Sequence, residues 1–557
     1  MARPADTGTS GRPDPTSERS DPLPDDRAEL RGVSQLVRSS SIVGAGTLLS
    51  RVTGLVRTIA IAAVLGATYL TDGYNLANTT PNMLYDLLLG GVFSATLVPV
   101  FVDHHVRDDD DGDSAVITVL VSGLIVLTVV AMILAPWIFR LYTWNIDEPA
   151  KRDQVIAVGV PLLRWFLPQI LFYGMTALAS AMLNARRSYL APAFAPALNN
   201  IVVLCMLGAF WRIGGVAPSV DQVLGDRVLM LLLGGGTTAG IVVMALALWP
   251  ALVRAGVRLR PRFDWRHRSI RQVFRLSGWT VLYTVANQIA LWVVLALATS
   301  QGRGIVSIYT YAYMFFQLPI GLFAVSLMTT TEPEMARAVA AGDVAGLRRQ
   351  FAAGLRLVLL VLIPASAAMA VLAHPIVNVL LGHGGYRDDT ALTGTLLALF
   401  SLGLVGYSVY LYALRCFYAQ KNTRTPFLVN VVENAMNVVL AFVLVGRWGA
   451  QGLVVAFSLA YTVAAVLALV AVRRTTHGID GRVVWNTTWR VSIATALMSV
   501  VGLALVLALG TPAGFGSIPT LLAAGAASGA VFALAVWRLG IPDLDQVLGR
   551  LRRRFGR

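Results

Sequence analysis

The chain is 557 residues long, 56% hydrophobic and only 13% charged, with a mean hydropathy of +0.67. A soluble fold of that length needs a larger charged surface, and a membrane barrel needs ~10-residue alternating strands that this sequence lacks. The net charge of +15 is carried almost wholly by arginine, in short segments between apolar runs, so it reads as a topology signal and not as a nucleic-acid footprint.

Residues 1–32 are rich in Pro, Asp, Ser, Gly and Arg and have no apolar face, so a disordered cytoplasmic tail without a cleavable signal peptide is predicted. Nearly charge-free runs follow, among them Val116 to Ile138, Val228 to Leu248 and Ile493 to Leu509. Each approaches or exceeds the ~20 residues that carry a helix across a ~30 Å hydrocarbon core. An all-α polytopic membrane protein is therefore predicted. Its fourteen spans are expected near 40–66, 71–102, 115–140, 154–183, 191–211, 228–252, 272–299, 305–330, 352–373, 389–418, 425–446, 450–472, 487–510 and 516–538. Cys205 and Cys416 both fall within apolar segments, which argues against a disulfide framework.

Arginine placement orients these spans. The segment between spans six and seven and its edges carry Arg254, Arg258, Arg260, Arg262, Arg266, Arg268, Arg271 and Arg275. Alternate segments hold Arg186, Arg187, Arg348, Arg349, Arg473, Arg474, Arg482 and the C-terminal arginines, whereas the intervening loops carry scattered charges such as Lys151, Arg152, Arg212 and Arg387. By the positive-inside rule both termini are expected in the cytoplasm of a cell-membrane protein.

Two stretches echo each other. Leu183-Asn184-Ala185-Arg186-Arg187 with Pro192 lies 234 positions before Phe417-Tyr418-Ala419-Gln420-Lys421 with Pro426, and Asn200 meets Asn434 at that same offset. Pro81 and Pro319 sit in the second helix of each half. The predicted organisation is a tail (1–32), a six-helix bundle (33–252), a basic linker (253–271), a second six-helix bundle (272–472), two extra spans (473–540) and a basic tail (541–557). An even number of spans per repeat makes the halves parallel, with a site expected at their interface near the midplane.

Charges inside spans are costly, so those present usually face protein or a wet cavity. Span one contains Arg51 and Arg57, with Gly46, Ser50 and Gly54 forming a small-residue face for close packing or cavity lining. Asp72 opens span two, followed by Asn75, Asn78 and Asn82; Arg164 lies in span four, and Glu433, Asn434 and Asn437 in span eleven. For each, an ion pair or a satisfied helix contact competes with a functional role. No P-loop, dinucleotide fingerprint or metal-spaced His/Cys set occurs, so a transporter is expected and not an enzyme, with no resident cofactor. His104 and His105 beside the Asp108–Asp111 run read as a solvated loop.

Several motifs carry a family resemblance. They are Leu49-Ser50-Arg51-Val52-Thr53-Gly54-Leu55-Val56-Arg57, Thr71-Asp72, Pro81-Asn82, Gly91-Val92-Phe93-Ser94-Ala95, Pro192-Ala193-Phe194-Ala195-Pro196, Gln317-Leu318-Pro319 and Arg415-Cys416-Phe417-Tyr418-Ala419. In combination they resemble the MurJ/MviN lipid II flippases of the multidrug/oligosaccharidyl-lipid/polysaccharide exporter superfamily. The resemblance implies fourteen spans around a central cavity, a lipid groove formed by the last two helices, and outward movement of lipid-linked peptidoglycan precursor for cell-wall synthesis. It implies an undecaprenyl-type lipid-linked substrate and a monomer, and does not identify protein partners. Arg51, Arg57 and Asp72 match family positions lining the headgroup cavity, and Arg490 is aligned with a basic residue near the groove. Asn82 and Arg164 join them as candidates for substrate binding, and Glu433, Asn434 and Asn437 are candidates for coupling a cation. The chain departs from the family pattern at Tyr85 and Asp86, where a basic pair is usual. Tyr311 to Gln317 is uncharged, and span seven has no acid between Gly278 and Thr299. These departures keep open another polyprenyl-linked glycan as cargo, or an ion-coupled small-molecule antiporter.

Overall fold

The computed structural model describes residues 26–87, 97, 100–103, 110–257, 260–264 and 268–540. Every regular element among them is helical. The first half comprises α1 (Asp26–Leu65), α2 (Tyr69–Tyr85), α3 (Asp110–Tyr142), α4 (Pro149–Phe166), α5 (Gln169–Ala185), α6 (Leu190–Gly214), and the short α7 (Val220–Gly225) and α8 (Arg227–Met230). A π-helical turn at Leu231–Gly235 then leads into α9 (Gly236–Leu246) and α10 (Trp249–Arg254). The second half comprises α11 (Arg268–Ser300), α12 (Ile305–Pro319), α13 (Val325–Ala340), α14 (Val344–Leu381), α15 (Thr390–Ala419) and α16 (Arg424–Thr475). Two further helices, α17 (Gly481–Leu509) and α18 (Ile518–Leu539), pack on each other and on α14.

Twelve stretches of the described residues are long and apolar enough to span a bilayer, against the fourteen predicted. Two differences lie behind this. The eleventh and twelfth predicted spans are contiguous in α16, whose 52 residues are two helices joined at a kink, each long enough to cross a bilayer core. Its break is a single residue, Gly449, at φ 55° and ψ −136°, a conformation open to glycine but strained for any residue with a Cβ. The second predicted span is described only up to Leu87 as a continuous helix, and α2 alone has 17 residues. At the N-terminus α1 already begins at Asp26, inside the stretch predicted to be a tail. The His104–His105 pair and residues 541–557 lie outside the described residues.

The outer faces are apolar, as lipid contact requires: Ile133, Val500, Leu507 and Trp537 are each 68–74% exposed. The Gly46–Ser50–Gly54 face of α1 is used for close packing. It lies against α6, where Asn200 donates from Nδ2 to the Ser50 carbonyl (3.1 Å) and to Thr53 Oγ1 (3.0 Å). The second half repeats this bridge, with Asn434 Nδ2 donating to Asn287 Oδ1 at 3.1 Å. Both partners are displaced by the same 234 positions, so the echo in the sequence corresponds to an equivalent helix contact. The second helices match as well. Pro81 is followed by a π-turn at Asp86–Leu87, and Pro319 by one at Ile320–Ala324. Proline withholds one backbone donor, and a π-turn is a common way to absorb the resulting misfit.

Candidate functional site

The site is assembled where the two halves face each other. At one end they are clasped by Asp72, in the first turn of α2 and only 2% exposed. Its carboxylate does not serve its own helix, because Thr68 already caps α2 by accepting from the Thr71 amide. It reaches across to α12. Oδ2 accepts from the Gly304 amide (2.6 Å), and Oδ1 accepts from the Ser307 amide (2.9 Å) and the Ser307 hydroxyl (2.7 Å). Gly304 is the N-cap of α12 and has no side chain of its own for the purpose, so Asp72 caps that helix from the other half. Glycine is needed there twice over. Its φ is +80°, and a Cβ would come within 2.6 Å of the Ala67 Cβ. Asn75 Nδ2 donates to Ser307 Oγ (3.0 Å), and Asn145 Nδ2 to Ser300 Oγ (3.2 Å), closing the same end.

Arg57 lies on α1 eight residues, or ~12 Å, from the clasped end. It is half-buried, and its Nε is buried with no hydrogen-bond partner. Its charge is felt by the hydroxyls of Tyr74 and Tyr173. Tyr74 is held by Thr237 (3.1 Å), and the Tyr173 ring stands 5.8 Å from that of Tyr85. Asn82 sits beside the Tyr173 hydroxyl and donates to the Asn78 carbonyl at 3.1 Å. Arg57 and Asn82 therefore belong to one polar cluster. Among the described residues no carboxylate pairs with Arg57. A guanidinium held this way is ready for an anion that the protein itself does not supply.

Arg51 is exposed and projects across the seam, its guanidinium filling the space where a Cβ on Gly321 would stand. Gly321 belongs to the π-turn that follows Pro319, so the sequence irregularity of the second half receives an arginine of the first. Asp86 accepts from Gln288 Nε2 (3.2 Å), a second bridge between the halves. Asp86 is thus engaged with span seven. Arg164 is exposed on α4, with no ion pair among the described residues, and does not join the cluster around Arg57. Arg490 stands apart. Its Nη1 donates to the carbonyls of Leu539 (3.1 Å) and Gly540 (2.9 Å), so it caps the C-terminus of α18.

The second half holds a cavity of its own, ≈ 250 Å³, with Tyr283, Tyr313, Tyr407, Tyr461, Asn434 and Asn437 in its wall. Glu433 lies behind this wall, 1% exposed, within electrostatic reach of Tyr283, Tyr407 and Tyr461. Neither of its carboxylate oxygens has a hydrogen-bond partner, and Asn437 Oδ1 has none either. Oxygen donors of this kind suit a hard cation. Asn434 is different, since its amide is spent on Asn287 and on the Asn430 carbonyl.

The family described as "Lipid II flippase MurJ" matches residues 61–523. The chain belongs to the MurJ family. A probable lipid II flippase MurJ of Rhizobium meliloti (strain 1021) is 29% identical over 442 residues, covering 78% of this chain and 79% of that one. The lipid II flippase MurJ of Burkholderia cenocepacia is 28% identical over 449 residues, covering 79% and 84%. Among solved structures, a lipid II flippase MurJ in an inward closed conformation superposes with a TM-score of 0.71 at 21% identity, over 89% of this chain and 99% of that one. An inward-facing multidrug resistance transporter of the MATE family and MOP superfamily superposes with a TM-score of 0.65 at 14% identity, over 78% and 96%.

Sequence reasoning missed Tyr74 and Tyr173, which lie around Arg57 within the first half, and Gln288, which bridges the halves to Asp86. Aromatic and amide side chains carry no distinguishing pattern in an apolar sequence. The one available signal was Asp86 itself, an acid within a span that needs a partner.

Proposed function

We propose that this protein flips lipid II, the lipid-linked peptidoglycan precursor, from the inner to the outer leaflet of the cell membrane by alternating access, with both termini cytoplasmic. The observation that carries the reading is Arg57, a half-buried guanidinium within span one with a buried, unpartnered Nε and, among the described residues, no carboxylate for its charge. The pyrophosphate of a lipid-linked precursor supplies the missing anion, and the planar guanidinium fork donates two parallel hydrogen bonds to it. Arg51, at the seam, is the second cation the headgroup meets, and Asn82 supplies a neutral amide to the same pocket. The polyprenyl tail stays in lipid, so only the head crosses.

The Asp72 clasp lies at the end that the arginine asymmetry assigns to the outside. Outward release then requires the carboxylate to leave Gly304 and Ser307, after which the halves rock about the site. The inside-negative potential assists, by about 2.3 kcal/mol per charge per 100 mV. Glu433 and Asn437 are the residues that would hold a coupling cation. Another polyprenyl-pyrophosphate glycan is the second reading, favoured by Asp86, which makes the interface less cationic than the family pattern.

Two measurements test this together: rescue of cells depleted of their lipid II flippase, and lipid II flipping by the purified protein in liposomes. The intact chain should rescue and flip, Arg57→Ala should lose both, and Arg57→Lys should keep a fraction. Wild-type flipping by Arg57→Ala would remove Arg57 from the mechanism. Failure of the intact, membrane-inserted chain to flip lipid II would remove the substrate.

A further inference from the structure

A second anion-shaped feature lies away from the seam, on the flank of the first half. It is a cavity of ≈ 750 Å³ with Arg186, Ser188, Leu190, Ala191, Phe194 and Arg254 in its wall. Three independent properties converge there. Arg186 ends α5 with its side chain only 7% exposed; its Nη2 pairs with Asp113 at a long 3.4 Å, and its Nη1 is buried with no partner. The N-terminus of α6, a 25-residue helix, opens on the same cavity, and its N-cap residue Tyr189 makes no side-chain cap. The amides of Leu190 and Ala191 and the positive end of its dipole therefore face a basic pocket unaided by a side chain, whereas Pro192 has no N–H and the Ala193 amide is bonded to the Tyr189 carbonyl. Arg254, in the last turn of α10, is exposed and has no ion pair among the described residues.

We propose that this cavity binds the phosphate of an anionic membrane phospholipid. Two guanidinium groups, one hydroxyl and a helix N-terminus make a phosphate site. The apolar part of the wall identifies its source. Leu190 is 60% exposed at the mouth, and Phe194 follows one helical turn later. An apolar wall adds nothing for a free ion, but it matches the glycerol and first acyl carbons of a lipid. The loop between spans four and five and the end of span six both lie on the side that the positive-inside rule makes cytoplasmic, where the leaflet surface is negative. The site is built from α5, α6 and α10 alone, so it does not depend on Arg57 or on the identity of the flipped substrate.

The test is native mass spectrometry of the full-length protein, delipidated and then titrated with phosphatidylglycerol or phosphatidylcholine. One phosphatidylglycerol should be retained in preference to phosphatidylcholine. Arg254→Ala should weaken that retention roughly tenfold, the worth of one charge-assisted hydrogen bond, and Arg254→Lys should restore most of it. An unchanged melting temperature in Arg254→Ala would show that the fold is intact, as expected for an exposed side chain. Inorganic phosphate in excess should not displace the lipid. Equal retention of both lipids, full retention by a folded Arg254→Ala, or displacement by phosphate alone would each overturn the proposal.

Discussion

Asp72→Ala is the perturbation with the clearest expected consequence, because the clasp it removes is local and fully described. The carboxylate accepts three hydrogen bonds, at 2.6, 2.9 and 2.7 Å, and all three donors belong to the other half. A hydrogen bond to a charged group contributes about 1.5–3 kcal/mol net. When the halves part, water replaces these partners, so the loss attributable to the clasped state is about 3 kcal/mol. That shifts the closed-to-open ratio by a factor on the order of 100, and turns a population clasped about 99% of the time into one roughly evenly divided. The assay is the distance between nitroxides placed at Arg152 and Arg387, both exposed at the clasped end, in a Cys205→Ser, Cys416→Ser background. A second, longer distance should appear in Asp72→Ala. Asp72→Asn should approach it, because the amide nitrogen of the new side chain competes for one of the two acceptor positions and cannot accept from Gly304. Ser307→Ala removes one of the three donors to Asp72 together with the neutral Asn75–Ser307 bond, leaves the two amide donors in place, and should open this end less. An unchanged distance distribution in Asp72→Ala, or opening by Ser307→Ala equal to that by Asp72→Ala, would refute the clasp as the element that holds this end shut.

Two further predictions concern residues whose roles the contacts redefine. Arg490→Ala uncovers the Leu539 and Gly540 carbonyls and should lower thermal stability by about 1–2 kcal/mol, with flipping of the surviving folded protein unchanged; lost flipping at unchanged melting temperature would return Arg490 to the substrate path. Glu433→Gln replaces a buried carboxylate that lacks any hydrogen-bond partner, and should raise the melting temperature in cation-free buffer. The wild type should close that gap when sodium is added, and a gap indifferent to added cations would dismiss Glu433 as a cation ligand.

Much of the architecture was legible before any coordinate. Hydrophobic runs of bilayer length fix the fold class, because the backbone in lipid must satisfy its own hydrogen bonds and helices alone do so within one segment. The 234-residue echo marked the halves through Pro192, Asn200 and their counterparts, since an asparagine bridging two helices is needed at the same place in both. Even the Gly449 break fell between two predicted spans, although no loop separates them.

What the sequence could not decide is the partner of each buried polar group. Asp72, Arg57 and Arg490 look alike in a hydropathy profile, each being one charge in an apolar run. Tertiary structure assigns Asp72 to the N-terminus of a helix 232 positions away. It places Arg490 against the last carbonyls of α18 and leaves Arg57 among tyrosines with an unpartnered nitrogen. Burial of a charge is a local property that composition reveals. Compensation of that charge is a long-range one, set by which helices the fold brings within ~3 Å of each other.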